Sequence, residues 1–190
     1  MTARWVVEEV APARDLTVHW RPISLLFKNN PDPQSPYYDR VVGTHKMLRV
    51  MEAVRAGEGE GPIQALYWQM ATRVHHDKIV EFPMAEALQA IGLDPAYGAA
   101  FDDESWDEVV RVGHDDGLSL VGNDVGTPII ALPDGNGGRI GIFGPVITRV
   151  PTGDLALQLW DGMVACMTVP GFWELKRTRT EAPELGSHPV

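Results

Sequence analysis

Apolar residues recur along most of this chain at helical spacing. Ile63, Leu66, Tyr67, Met70 and Val74 fall at i, i+3, i+4, i+7 and i+11. This is the strongest helical period in the sequence and predicts a helix opening after Pro62. Tyr37, Val41, Leu48 and Met51 share a stripe that predicts a long helix over 36–56, broken by the glycine-rich 57–61. Pro83 opens a short helix with Ala87, Leu88 and Ile91; residues 92–95 read as a turn. Trp106, Val109, Val110 and Gly113 predict a helix ending near Gly117. At the start of the chain, Trp5, Val6 and Val10 predict a helix over 1–13 that Pro12 stops. Near the end, Thr152 can cap a helix whose buried face is Leu155, Leu159, Trp160, Met163 and Met167, closed by Pro170-Gly171.

Two stretches carry strand patterns. Leu16, Val18 and Trp20 alternate with Thr17, His19 and Arg21, which predicts a strand over 16–23. Residues 125–132 and 139–143 are short apolar runs around Asp134-Gly135-Asn136-Gly137-Gly138, whose glycines and Asn tolerate positive φ. That arrangement predicts a β-hairpin. Strands at both ends with helices between them suit an α/β core, residues 1–35 and 118–190, with an all-helical insertion over 36–117.

Composition narrows the function classes. A chain of 190 residues, 44% hydrophobic, can bury a core. A net charge of -10 argues against a nucleic-acid surface, which needs clustered Lys and Arg. No apolar run approaches the ~18 residues of a membrane span, and no signal peptide is visible at the start. These features predict a cytoplasmic protein with no membrane or nucleic-acid partner. The single cysteine, Cys166, excludes an internal disulfide and a Cys-rich metal site.

Local chemistry is sparse. Cys166 falls toward the end of the last predicted helix, where the dipole opposes a thiolate, and reads as a small core hydrophobe. His75-His76-Asp77 and His114-Asp115-Asp116 place neighbouring side chains about 100° apart on a helix, a poor arrangement for sharing one ion, so no metal site is expected. No G-x-S-x-G occurs, and Ser24 has no flanking glycines to form a nucleophile elbow. Gly135, Gly137 and Gly138 do not open a helix, so no phosphate-cradling loop is expected. Pro128 belongs at a strand start or edge. A cis Thr127-Pro128 bond there would turn the Thr127 backbone toward whatever approaches the strand end.

VGTPII, a hairpin, then FGP and a helix resembles the C-terminal half of a thioredoxin fold. The longer run GNDVGTPII…IFGPVITRVPTGDLALQLWD…FWELKRTRTE resembles the DsbA-like proteins described as mycothiol-dependent nitroreductases. The resemblance runs from Arg4-Trp5 to the tail. It implies a thioredoxin-like (DsbA-like) fold with an inserted all-helical subdomain. It places the family's C-x-x-C immediately upstream of Met1, so this chain would lack the first strand and the redox pair and would be redox-inactive as numbered. The strand over 16–23 would then have an open edge, which invites a homodimer. By the same resemblance Thr127 and Pro128, with Gly126 before them, lie beside the disulfide and pair with substrate. Asn29 and Tyr38, with Tyr37 as the alternative, face the cleft as donors to an acidic or nitro group. The implied activity is thiol-disulfide exchange or nitro reduction. The implied partner is a small thiol or disulfide, with mycothiol or a similar thiol as co-substrate and no bound cofactor. A non-catalytic thioredoxin-like binding domain and a Ser-type, glutathione-dependent isomerase or transferase are the alternatives.

Overall fold

The computed structural model describes residues 1–79 and 81–188; Val80, Pro189 and Val190 lie outside it. The chain divides into two compact units, Met1–Val18 with Leu118–Ser187, and His19–Gly117 with His188. Residues 19–35, expected with the α/β core, therefore belong with the helices. No helix among the described residues is long and apolar enough to cross a membrane.

The first unit is built on a hairpin and two helices. Strands β1 (Ile129–Pro133) and β2 (Arg139–Phe143) pair antiparallel, with Ile130 opposite Ile142 and Leu132 opposite Ile140. The tip closes because the Asp134 carboxylate accepts from the amides of Asn136 and Gly138, at 2.8 and 2.9 Å. Gly135 and Gly137 take the positive φ that this turn requires, 79° and 88°. The two cross-strand pairs share one face by strand alternation. That face packs on Trp5 and Val10 of α1 (residues 2–14) and on Ala156, Trp160, Met163 and Met167 of α7 (Gly153–Thr168). Trp5 is fully buried, donates from Nε1 to the Ala156 carbonyl at 3.1 Å, and meets Trp160 edge-on.

Two sequence expectations for these helices need correction. Pro12 does not end α1. The helix runs Thr2–Trp5, a π-helical turn Val6–Val10, then Ala11–Arg14, with Pro12 in the first turn of that last segment, where a missing N–H leaves little unpaired. The stop is Asp15, left-handed at φ 52°, with the Leu16 amide closing on the Ala11 carbonyl. On α7, Leu155 is exposed; the buried stripe starts one residue later, at Ala156, and keeps helical spacing through Met167.

The second unit is helical: α2 (Leu25–Asn29), α3 (Tyr38–Glu58), α4 (residues 63–76, ending in the π-helical turn Thr72–His76), α5 (Met84–Gln89), 3-10 turns at Pro95–Asp102 and Glu104–Trp106, and α6 (Asp107–Ser119). Its core is Val50, Met51 and Val54 of α3 against Ile63, Leu66 and Met70 of α4 and Ala87 and Leu88 of α5. The face of α3 that reaches this core lies in its C-terminal half, so Tyr37, placed on the predicted stripe, is exposed.

The strand predicted over 16–23 is absent; among the described residues the sheet is the β1–β2 pair alone. A strand needs a ladder partner for its backbone groups, and these residues instead line the helices through side chains. Trp20 packs on Tyr67 with ring centroids 4.3 Å apart, and its carbonyl accepts from Arg55 at 3.0 Å.

Candidate functional site

In the first unit the chemistry-bearing stretch is the start of β1. The Thr127-Pro128 peptide is cis, as is Gly144-Pro145. The Pro128 carbonyl accepts from the Gly144 amide at 2.8 Å, which fixes the proline at the open end of the hairpin. One residue on, the Pro145 carbonyl accepts from the Thr2 hydroxyl at 2.7 Å, and Thr2 is buried. The N-terminus of α1 is thereby tied to the end of β2, and the end of β2 to Pro128. Thr127 is exposed, with Gly126 and Pro128 half-buried. Among the described residues the Thr127 backbone N–H and C=O pair with no other backbone group. An exposed, unpaired peptide at a strand start can take an extended ligand as a short added strand. The nearby helix N-terminus favours negative charge.

In the second unit, polar groups converge on Ser24. Its Oγ accepts from the Phe27 amide at 3.1 Å and so caps α2. The same oxygen lies 2.9 Å from His45 Nδ1 on α3. His45 Nε2 faces Asp107 Oδ1 at 2.9 Å. Asp107, the first residue of α6, is clamped by Arg49 through Nε and Nη2. The Ser24 amide donates to His114 Nδ1 at 3.3 Å. The approach of residues 22–24 to α6 depends on Gly113 and Gly117. A Cβ at Gly113 would lie 2.6 Å from Pro22 Cγ, and one at Gly117 2.8 Å from Ile23 Cδ1.

Protonation states follow from these partners. A carboxylate only accepts, so His45 Nε2 carries the proton toward Asp107. The neutral ring then leaves Nδ1 bare to accept the Ser24 hydroxyl proton. His114 Nδ1, facing an amide N–H, is bare in the same way. Burial lowers the pKa of His45, against the opposing pull of Asp107, and burial is also the main cause lowering His114. Burial by itself would raise Asp107, but the Arg49 and His45 hydrogen bonds outweigh it and hold the carboxyl below its ordinary value.

A serine, a histidine and an aspartate in series suggest hydrolysis, but the geometry does not fit. Ser24 and His45 are 0% and 1% exposed, and Ser24 Oγ is already engaged as a helix cap. The arrangement holds α2 in place.

The residues singled out from the sequence fall into both units. Gly126, Thr127 and Pro128 belong to the first, Asn29 and Tyr38 to the second. Asn29 is the exposed last residue of α2 and Tyr38 the half-buried first residue of α3; they bracket the loop 30–37. Cys166 is a free thiol, half-buried on α7. His75 and His114 are both on helices, and the described residues bring no group of three or more His, Cys, Asp or Glu together in metal-binding geometry. Ser24, His45 and Asp107 as a connected set escaped the sequence reading, although His45 interrupts the apolar stripe of α3 at helical spacing between Val41 and Leu48. A protein-family model described as Rv2466c-like, mycothiol-dependent nitroreductase Rv2466c, matches residues 1–177.

Proposed function

Because the chain belongs to the Rv2466c-like family of mycothiol-dependent nitroreductases, we propose that it serves thiol-dependent reduction, with mycothiol or a similar low-molecular-weight thiol as co-substrate. In this reading the unit of α1, the hairpin and α7 is a thioredoxin-like, DsbA-like core, and the helical unit is its insertion. The observation that carries the reading is the exposed Thr127 peptide ahead of Pro128, which Gly144 and Pro145 link to the N-terminus of α1. Thr127 offers its backbone N–H and C=O to the thiol or disulfide. Pro128 keeps that peptide outside the ladder, and Gly126 leaves room for the ligand. Asn29 and Tyr38 supply an amide and a phenol to an acidic or nitro group. A cytoplasmic setting, which keeps a lone thiol such as Cys166 reduced, suits this role.

The redox step needs two sulfurs. A thiolate attacks one sulfur of a disulfide, the S–S bond breaks, and the departing thiolate takes a proton. A second thiolate then attacks the mixed disulfide and releases the other thiol. The dithiol thus gives up an electron pair and two protons and becomes a disulfide. These 190 residues hold one cysteine, Cys166. The proposed source of the pair is a C-x-x-C joined directly ahead of α1, whose N-terminus would favour the thiolate.

The test compares the 190-residue protein with one extended by a strand and a C-x-x-C, each assayed with excess mycothiol as the reductant for reduction of a second low-molecular-weight disulfide. The expected result is turnover in the extended protein alone. Equal rates in both would refute the role given to the cysteine pair. The single cysteine also supports a second reading, a thioredoxin-like domain that binds without redox turnover. Binding of mycothiol disulfide at Thr127 with no turnover in either protein would select it.

A further inference from the structure

Ser24 gives both of its protons to histidines, its amide proton to His114 Nδ1 and its hydroxyl proton to His45 Nδ1. Its oxygen meanwhile accepts from Phe27 and caps α2. All three residues are buried, at 0%, 1% and 3% exposure for Ser24, His45 and His114. We infer that Ser24, His45 and His114 form a proton-sensitive latch that positions α2 and, with it, Asn29. The inference rests on the role proposed above for Asn29 only in its last step; the latch stands on its own geometry.

The two histidines answer a proton differently. On His114 a proton added at Nδ1 faces the Ser24 amide, N–H against N–H, and a backbone donor cannot rotate into an acceptor. Ser24 must then move off, and its cap on Phe27 goes with it. On His45 a proton at Nδ1 can be met by Ser24 Oγ, but the hydroxyl proton then needs another acceptor in a buried place, and leaving a buried donor unpaired is unfavourable. Either event loosens a five-residue helix, too short to hold itself without tertiary support.

The charges around the rings fix the direction. Arg49 on α3 and Arg111 on α6 oppose a proton on His45, and Asp107 favours one. Arg111, Lys28 on α2 and His45 oppose a proton on His114, and Asp115 favours one. The Arg111 guanidinium also lies 3.9 Å from the centre of the Phe27 ring, which itself packs on both imidazoles. Burial and the cations keep both rings neutral near pH 7. With folded values below the unfolded one, the latch is closed above about pH 6.5 and releases as pH falls through the folded values.

Amide hydrogen exchange on the ligand-free, 190-residue protein reads the latch directly. The amides of Phe27, Lys28 and Asn30 close on Ser24 Oγ, the Ser24 carbonyl and the Leu26 carbonyl. After correction for intrinsic rates, their opening should rise between about pH 7.5 and about pH 5.5, by up to about tenfold for each histidine that titrates. Amides in the core of α3, such as Val50 and Val54, should not follow. His114→Gln offers an amide oxygen that accepts but does not titrate, and should remove the part of the rise that His114 carries. Opening of α2 that does not change with pH, or a full rise retained in H114Q, overturns the inference. Should H114Q fail to fold, nitrogen shifts of the wild-type imidazoles decide. Bare Nδ1 on both rings at about pH 7.5 upholds the latch, and an Nδ1–H tautomer on His114 overturns it. Mycothiol disulfide, titrated at both pH values while the Asn29 side-chain amide is followed, tests the last step. Weakening in parallel with α2 opening supports it. A latch that opens while the probe never perturbs Asn29 refutes the step to Asn29 and the role proposed for that residue, and leaves the latch itself in place.

Discussion

Replacing Gly113 by alanine tests why residues 22–24 can lie against α6 at all. A Cβ at this position meets Pro22 Cγ at 2.6 Å and Cδ at 2.7 Å. Carbon atoms rest at about 3.5–4.0 Å, so roughly 1 Å of movement is needed. A proline ring has no rotamer with which to yield, so the backbone of 22–24 must shift and carries Ser24 away from His114. Overpacking of this kind costs about 1–3 kcal/mol. Alanine in mid-helix returns up to about 1 kcal/mol through propensity, so the net loss is about 0–3 kcal/mol. The informative quantity is the contrast with Gly43→Ala on α3 and Gly162→Ala on α7, where a Cβ meets nothing within 4 Å. Those two substitutions should stabilise by up to about 1 kcal/mol. Gly117→Ala belongs between them, because its obstacle is Ile23 Cδ1, the far end of a side chain that can rotate. Urea unfolding of the four variants gives the order, with G113A about 1–3 kcal/mol below G43A. A G113A protein as stable as G43A would refute the close approach of Pro22 to α6.

Asp107→Asn should cost about 2 kcal/mol at neutral pH, as hydrogen bonds to a charged group are lost. The figure stays below that of a fully buried pair because Asp107 is 32% exposed. The depressed carboxyl contributes stability that is present above about pH 3.9 and lost as pH falls through its folded value. Urea midpoints on the acid side of that point should therefore fall less steeply with pH in D107N than in the wild type. Trp5→Phe removes the bond from Nε1 to the Ala156 carbonyl and part of the edge contact with Trp160; a loss of about 2 kcal/mol in thermal or urea unfolding is expected. Cys166→Ala, at a half-buried site on α7, should cost less than about 1.5 kcal/mol in the same assay.

The fold was legible where the deciding interactions are local. The hairpin could be read because its turn is made by residues inside the turn, with Asp134 bonded to amides two and four positions on. Helix α4 could be read because its apolar spacing is the packing itself. The strand over 16–23 was misread because alternation reports where side chains point and says nothing of a ladder partner. Of the 3-10 turn Pro95–Asp102 only Pro95 fell within a reading, as the end of a turn over 92–95. Its start was nonetheless written in Asp94-Pro95, with the Asp94 carboxylate accepting from the Ala96 amide at 2.8 Å ahead of a first-position proline.

The site divides along the same line. Thr127-Pro128 announces itself because a proline at a strand start has few places to go. The Ser24 network joins residues 24, 45, 107 and 114, which no periodicity connects. It still left a mark. Val41, His45, Leu48 and Glu52 follow one another at helical spacing on α3, and two of these four are polar and both are buried. A polar side chain on an apolar stripe must find a partner or lose stability. His45 finds Ser24 and Asp107, and Glu52 finds Arg55. The stripe of α3 was thus an apolar face with two polar stations: Glu52 is met from within the same helix, three residues on, whereas His45 marked a position where distant parts of the chain had to arrive.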